Sequence, residues 1–89
     1  MDTRLIIGWN LRHLRVEKGL SQERLALEAG IDRAYVGRIE RGSENVTITT
    51  LEAVANVLGV RVSALFRDID PNEAAPDKLK AGRKPKPLN

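Results

Sequence analysis

Apolar residues recur at three- and four-residue intervals through the first two thirds of the chain, which is the spacing of amphipathic helices. A first helix is predicted over residues 4–18, and Gly19 interrupts the pattern and ends it. Its apolar stripe consists of Ile7, Leu11 and Leu14. Ser21 is a good helix-capping residue, so a second helix is expected over residues 22–29. The inward face of this second helix should be made of Leu25, Ala26 and Ala29.

Three further helices are predicted after a short turn. Gly30 suits a tight turn because it adopts positive φ without steric penalty, and Asp32 can then cap a third helix over about residues 32–41. Thr47 is expected to cap a fourth helix, which Gly59 ends. The apolar face of the fourth helix would carry Ile48, Leu51, Val54, Ala55 and Leu58. A short fifth helix is predicted within residues 60–66, and no strand pattern competes with these assignments.

The character of the chain changes after the fifth helix. Residues 1–66 are predicted to form one compact all-α domain, in which two helices joined by a tight turn occupy about residues 21–41. Residues 67–89 contain four prolines and few apolar groups, which is typical of a disordered tail. The last twelve residues, KLKAGRKPKPLN, include five basic side chains and no acidic one.

Composition favours a small aliphatic core that would benefit from a partner subunit. Of the 89 residues, 42% are hydrophobic but only 3% are aromatic, so leucine, isoleucine, valine and alanine must supply most of the buried surface. A chain of this size buries only about 60% of its unfolded surface, which leaves its stability marginal. We therefore expect either a homodimer or a very compact bundle.

Several classes of function are disfavoured by the residue inventory. The chain has no cysteine and a single histidine, so neither a disulfide nor a metal site built from histidine and cysteine is expected. No Ser/His/Asp set or phosphate-binding glycine loop is present, so we expect no enzyme activity, no cofactor and no small-molecule ligand. Without an apolar run of membrane-spanning length or a signal-peptide pattern, the chain is expected to be cytoplasmic.

The third helix, within IDRAYVGRIERG, has an unusual exposed face. On a helical wheel Val36 and Ile39 form a narrow apolar strip, and the opposite face carries Arg33, Ala34, Gly37, Arg38 and Arg41. Glycine inside a helix costs about 1 kcal/mol relative to alanine, so Gly37 is explained if a bulky ligand must approach the backbone closely. The major groove of DNA admits a helix, and arginine matches guanine O6 and N7. An exposed helix with solvated arginines is the simpler alternative.

Balanced charge over the predicted domain makes the placement of these arginines important. Residues 1–66 hold nine basic and eight acidic side chains, although the whole chain carries a net charge of +3. A basic surface therefore requires the arginines to gather on one side of the domain. Two helices joined by a tight turn, with a basic second helix, favour a helix-turn-helix that reads DNA.

Two segments carry a resemblance to a known family. LRHLRVEKGLSQERLALEAGIDRAYVGRIERG and TITTLEAVANVLGVRVSALF resemble the lambda-repressor-like, or XRE, helix-turn-helix family over about residues 4–66. The resemblance implies an all-α five-helix domain that acts as a dimeric bacterial transcription regulator, often a repressor, on palindromic double-stranded DNA. It also implies that the recognition helix, about residues 32–41, enters the major groove.

The resemblance implies roles for individual residues. The residues expected to contact bases are Arg33, Ala34 and Arg38, and Gly37 would allow close approach. The residues expected to contact phosphates are Gln22, Tyr35, Arg41, Ser43 and Asn45. Arg15 and Glu40 would form a structural ion pair between the first and third helices. Val62, Leu65 and Phe66 are expected at the dimer interface.

Several subfamilies share these residues. IDRAYVGRIERGSENVTI is similar to the controller proteins of restriction–modification systems, from which the chain departs at Ala34 and Glu44. Glu44 stands where a basic residue would help DNA binding. Phage repressors and antitoxins share most of the pattern. The alternative function is thus an antitoxin-type interaction module that binds a partner toxin, with DNA binding secondary.

Overall fold

The computed structural model of the protein describes residues 2–69, which form four α-helices followed by a short 3₁₀ helix. The elements are α1 (Thr3–Glu17), α2 (Gln22–Ala29), α3 (Arg33–Glu40), α4 (Ile48–Leu58) and the 3₁₀ helix (Val62–Phe66). No strand occurs within the described residues, and the predicted all-α fold class is confirmed. The fifth element differs from the others because it is a single short stretch of 3₁₀ helix.

Part of the predicted organisation lies outside the structure. The tail expected over residues 67–89 falls outside the described residues, apart from three that follow the 3₁₀ helix without regular secondary structure. Within residues 2–69, no helix has the length and apolar character needed to cross a bilayer.

Side-chain caps start three of the four α-helices, and at α1 the Asp2 carboxylate accepts from the backbone N–H of Arg4 at 2.9 Å. The Ser21 hydroxyl accepts a hydrogen bond of 2.9 Å from the backbone N–H of Arg24, which satisfies one free donor at the start of α2. Thr47 accepts in the same way from Thr50 at the start of α4, at 3.1 Å. Asp32 occupies the capping position of α3 with extended backbone angles, but its carboxylate makes no capping hydrogen bond. The predicted cap positions are therefore confirmed, although Asp32 acts through its backbone conformation alone.

The turn between α2 and α3 is made by a left-handed residue. Gly30 has φ of 73°, a conformation that side-chain-bearing residues adopt at a cost. It lets the N–H of Ile31 turn back to the carbonyl oxygen of Ala26 at 3.0 Å, which satisfies an acceptor at the end of α2. Because this connection is only three residues long, the direction of α3 is closely tied to that of α2.

The core is aliphatic and draws on every helix. Its fully buried members include Leu11, Leu25 and Ile39, which belong to predicted apolar stripes, and Leu65 of the 3₁₀ helix. Ile48 was expected in this core, but 72% of its surface is exposed. That prediction was wrong because Ile48 is the first residue of α4, one turn before the first residue of that helix that reaches the core.

A buried amide joins the end of the domain to α1. The Nδ2 atom of Asn10 donates to the carbonyl oxygens of Ile6 at 3.0 Å, Leu65 at 3.1 Å and Arg67 at 2.8 Å. The bonds to Leu65 and Arg67 satisfy carbonyl groups at the end of the 3₁₀ helix that have no partner within that helix. Sequence analysis missed Asn10, whose only signal was a polar residue beside the apolar stripe of α1.

Gly8 allows α1 and α3 to meet backbone to backbone. A Cβ atom added at Gly8 would lie 2.4 Å from the carbonyl oxygen of Ile39 and 2.8 Å from that of Glu40. Both distances are shorter than van der Waals contact, and both involve backbone atoms that cannot swing aside. The sequence pattern singled out Gly37 and gave no signal for Gly8. Gly8 nevertheless sets the separation of α1 from the end of α3.

Gly8→Ala is expected to lower the free energy of unfolding by up to about 2 kcal/mol, because overpacking typically costs about 1–3 kcal/mol and is only partly offset by a helix-propensity gain of about 1 kcal/mol. Urea unfolding followed by circular dichroism would measure it. Gly37→Ala is the matched control within another helix, where the nearest atom to an added Cβ is the flexible Nη1 of Arg41 at 3.2 Å. Equal stability changes in the two variants would contradict the close approach at Gly8.

Candidate nucleic-acid interface

Packing against the rest of the domain determines which side of α3 is exposed. Val36 and Ile39 are fully buried, and α3 packs on both α1 and α2. The opposite side of α3 faces outward with the exposed residues Arg33, Ala34, Arg38 and Arg41. The structure therefore brings together the residues that the sequence indicated for base contact, on one continuous face of a short helix.

Gly37 is covered by its neighbours, although the helical wheel placed it on this outward face. A Cβ atom at Gly37 would lie 3.2 Å from Nη1 of Arg41 and 3.9 Å from Oε1 of Gln22, and the residue is buried. The two side chains lie over the backbone at the point where a ligand would approach. Both are long and flexible, so the helix can be approached here if the Arg41 side chain moves.

A buried ion pair lies behind this face. Nε of Arg15 lies 2.6 Å from Oε2 of Glu40, its Nη2 donates to Oε1 at 3.0 Å, and only 4% of each side chain is exposed. The remaining nitrogen, Nη1, donates to the carbonyl oxygen of Leu20 at 2.8 Å. Such a two-point contact between planar groups fixes both distance and orientation. Glu40 thus points away from the exposed face of α3 and its charge is neutralised inside the domain.

Gln22 is joined to the same ion pair. Its Nε2 atom donates to Oε1 of Glu40 at 3.0 Å, from the first residue of α2. This bond holds the side chain against α3 and uses one of the two amide protons. Phosphate contact by Gln22 therefore has only the second amide proton available while this bond persists.

Arg38 is held in place on the exposed face. Its Nε atom donates to Oε1 of Glu44 at 2.8 Å, and its guanidinium carbon lies 5.5 Å from the centre of the Tyr35 ring. Tyr35 is half-buried and borders the face. The contact between Glu44 and Arg38 was not predicted, because the sequence marked Glu44 only as a departure from the controller-protein pattern.

The loop after α3 presents the other predicted phosphate ligands. Ser43 and Asn45 are both exposed and lie directly beyond Arg41 at the end of α3. The side-chain amide of Asn45 can donate to a phosphate oxygen without reading a base. The N–H and the hydroxyl of Ser43 both donate to the carbonyl oxygen of Arg38, so Ser43 must exchange one of these bonds to bind a phosphate. Within residues 2–69, no cluster of histidine, aspartate or glutamate side chains is arranged to hold a metal ion.

One of the three residues predicted at a dimer interface cannot serve there. Leu65 is fully buried within the single chain, so it has no surface to offer a partner. The prediction that grouped Leu65 with Val62 and Phe66 did not distinguish residues of the core from residues of an interface. Phe66 is 41% exposed and Val62 is half-buried, so both retain surface.

Comparison with known proteins identifies relatives across the described region. A protein-family model described as helix-turn-helix matches residues 11–65. A hypothetical transcription factor from Neisseria meningitidis is 44% identical over 65 residues, which are 73% of this chain and 61% of that protein. The chain thus spans less than two thirds of that relative.

Two solved structures extend the comparison. The restriction–modification controller protein C.AhdI from Aeromonas hydrophila is 44% identical and superposes with a TM-score of 0.69, covering 71% of this chain and 96% of that one. SinR, a master regulator of biofilm formation crystallised in complex with DNA, is 40% identical with a TM-score of 0.66, covering 68% of this chain and 98% of that one. Both structures are therefore similar to this chain over most of its length, in the helical region to which α3 belongs.

Glu40→Gln is expected to lower the free energy of unfolding by about 3 kcal/mol, because it leaves the buried Arg15 cation without a counter-ion. Chemical denaturation would measure the loss. Glu52→Gln, which removes an exposed carboxylate from α4, is the control and should change stability by no more than about 0.5 kcal/mol. A loss below about 1 kcal/mol for Glu40→Gln would show that the ion pair does not hold α1 to α3.

Proposed function

The chain belongs to the helix-turn-helix family of transcription regulators, and on that premise we propose that it binds double-stranded DNA sequence-specifically as a homodimer on a palindromic operator. The observation that carries the proposal is the exposed face of α3, on which arginines and one small residue lie opposite the buried strip. An α-helix of this kind fits the major groove, where base pairs present distinct patterns of donors and acceptors. The region that binds DNA is proposed to be residues 1–66, and residues 67–89 a basic extension.

Roles within the interface follow from position along α3 and its flanking loops. Arg33 and Arg38 are proposed to donate to base edges, with Ala34 packing against a base between them. The residues proposed to hold phosphates are Gln22, Tyr35, Arg41, Ser43 and Asn45. Contacts to phosphates fix the register of the helix along the duplex, whereas contacts to bases carry sequence preference.

Dimerisation is proposed to use the end of the domain. Phe66 exposes an aromatic ring, and Val62, four residues earlier on the same 3₁₀ helix, is half-buried. A dimer that reads two half-sites one turn of DNA apart requires the α3 helices of its two copies to lie about 34 Å apart. Two half-sites then contribute to affinity at once, so a palindromic operator is the expected target.

The relatives favour gene regulation over the alternative considered from the sequence. C.AhdI is a restriction–modification controller and SinR a regulator seen with DNA. They give no support to an antitoxin whose main task is to bind a toxin. Control of a restriction–modification operon is the more specific form of this proposal, supported by the 44% identity to C.AhdI.

Selection of binding sites from a random duplex pool at near-physiological salt tests the proposal without assuming an operator. A two-fold symmetric motif with a constant half-site spacing would support a dimeric operator reader. A pool that does not converge, together with affinity that depends on salt alone, would exclude sequence-specific recognition.

Arg33→Ala is expected to weaken binding to the selected site by about 1–3 kcal/mol and to relax the preference at one base position, because a bidentate base contact is lost. Fluorescence anisotropy with the selected duplex and its single-base variants would measure both effects. Arg61→Ala is the control, since Arg61 is an exposed arginine outside the α2–α3 unit. Equal weakening on all sequences would assign Arg33 to phosphate contact.

Gly37→Leu is expected to leave the domain folded but to weaken operator binding at least about 10-fold, because the larger side chain displaces Arg41 outward and blocks approach to the backbone. Thermal unfolding would show whether the variant is folded, and fluorescence anisotropy would measure its affinity for the operator. Gly37→Ala is the graded control and should have a smaller effect. Normal operator binding by Gly37→Leu would show that close approach at this residue is not required.

A further inference from the structure

Glu44 places a negative charge at the edge of the proposed DNA-binding surface. Its Oε1 atom lies 2.8 Å from Nε of Arg38, and 27% of the Glu44 side chain and 44% of the Arg38 side chain are exposed. A carboxylate in this position repels phosphates and lowers sequence-independent attraction to DNA. Its presence on this surface therefore needs an explanation other than simple affinity.

The end of α3 holds Glu44 beside Arg38. Gly42 adopts φ of +76° and reverses the chain, and the N–H of Ser43 then donates to the carbonyl oxygen of Arg38 at 3.0 Å. The Ser43 hydroxyl lies 3.2 Å from the same oxygen. Glu44 is the next residue, so the backbone that carries it is fastened to the backbone of Arg38 itself. The pairing of the two side chains thus follows from the way the helix ends.

The contact with Glu44 leaves both terminal nitrogens of the Arg38 guanidinium available to a base. Glu44 uses Nε, and no hydrogen bond within residues 2–69 involves either terminal nitrogen of Arg38. The guanidinium carbon also lies 5.5 Å from the centre of the Tyr35 ring. The side chain is therefore restricted in the free protein by Glu44 and Tyr35, and neither terminal nitrogen is used by these contacts. An arginine in that state loses less conformational freedom when it binds guanine O6 and N7.

We propose that Glu44 is a positioning residue for base recognition: it orients the Arg38 guanidinium through Nε and offsets attraction to phosphates, so that preference for the correct base rises relative to affinity for any duplex. This inference rests on the proposed function, because it requires Arg38 to read a base. Glu44 therefore raises the preference for the correct base and, at the same time, lowers the affinity for an unrelated duplex.

The test compares Glu44→Ala with Glu44→Gln on the selected operator, its single-base variants and an unrelated duplex. Glu44→Ala removes both acceptor and charge, and we expect it to reduce the preference at the Arg38 position at least about 5-fold. Glu44→Gln removes the charge but keeps an oxygen that can accept from Nε, so it should retain most of that preference. Both variants should bind the unrelated duplex more tightly, with a salt slope steeper by up to about one unit.

Glu28→Ala is the matched control, because Glu28 pairs with Nε of Arg24 on the exposed side of α2 in a comparable surface ion pair. It releases an arginine without touching Arg38, so its base preferences should equal those of the unaltered protein. Glu44→Ala made in an Arg38→Ala background should likewise leave base preference unchanged, since Glu44 is expected to act only through Arg38.

Unchanged base preference in Glu44→Ala would overturn the proposal, as would equal losses in Glu44→Ala and Glu44→Gln, which would assign the effect to charge. Circular dichroism melting of each variant separates these results from unfolding. If the unaltered protein itself selects no motif, the proposed function fails before the role of Glu44 is reached, so the two failures are distinguishable.

Discussion

The buried ion pair between Arg15 and Glu40 is the interaction on which the outward face of α3 depends. Its members come from the end of α1 and the end of α3, and both side chains are almost completely removed from water. Charges in such a place must be paired and hydrogen-bonded, because a lone buried charge costs several kcal/mol or more. Leu20 and Gln22 complete the network at the start of α2. One cluster therefore fixes three helices relative to one another.

Backbone packing at Gly8 acts on the same end of α3. The carbonyl oxygens of Ile39 and Glu40 lie 2.4 and 2.8 Å from the position that a Cβ atom of residue 8 would take, so α1 and α3 approach more closely here than a side chain would allow. The ion pair sets orientation and the glycine sets distance. Since α3 is only eight residues long, control of its last turn by these contacts determines where its exposed side points.

The domain that carries the proposed DNA-binding surface has almost no net charge. Residues 1–66 hold nearly equal numbers of basic and acidic side chains, so strong sequence-independent attraction is not expected. On the exposed face Arg38 is accompanied by an acid, Glu44, that orients it. Weak general attraction combined with oriented donors is a physically reasonable route to discrimination between sequences, because only the correct base satisfies the donors fully.

Sequence alone determined the elements of this protein, and only the tertiary structure decided how they meet. Helical periodicity, capping residues such as Ser21 and turn glycines such as Gly30 act within a few residues, so they can be read along the chain. Contacts such as that of Asn10 with the Leu65 carbonyl join residues far apart in sequence, and no local pattern encodes them.

The same distinction explains which site residues were found. The arginines of α3 share one face by periodicity alone, whereas the burial of Leu65, the exposure of Ile48 and the cover over Gly37 depend on where neighbouring elements end. A local pattern states which residues lie on one side of a helix. Whether that side meets core, solvent or another side chain depends on packing between distant segments, because burial is a property of the assembled domain.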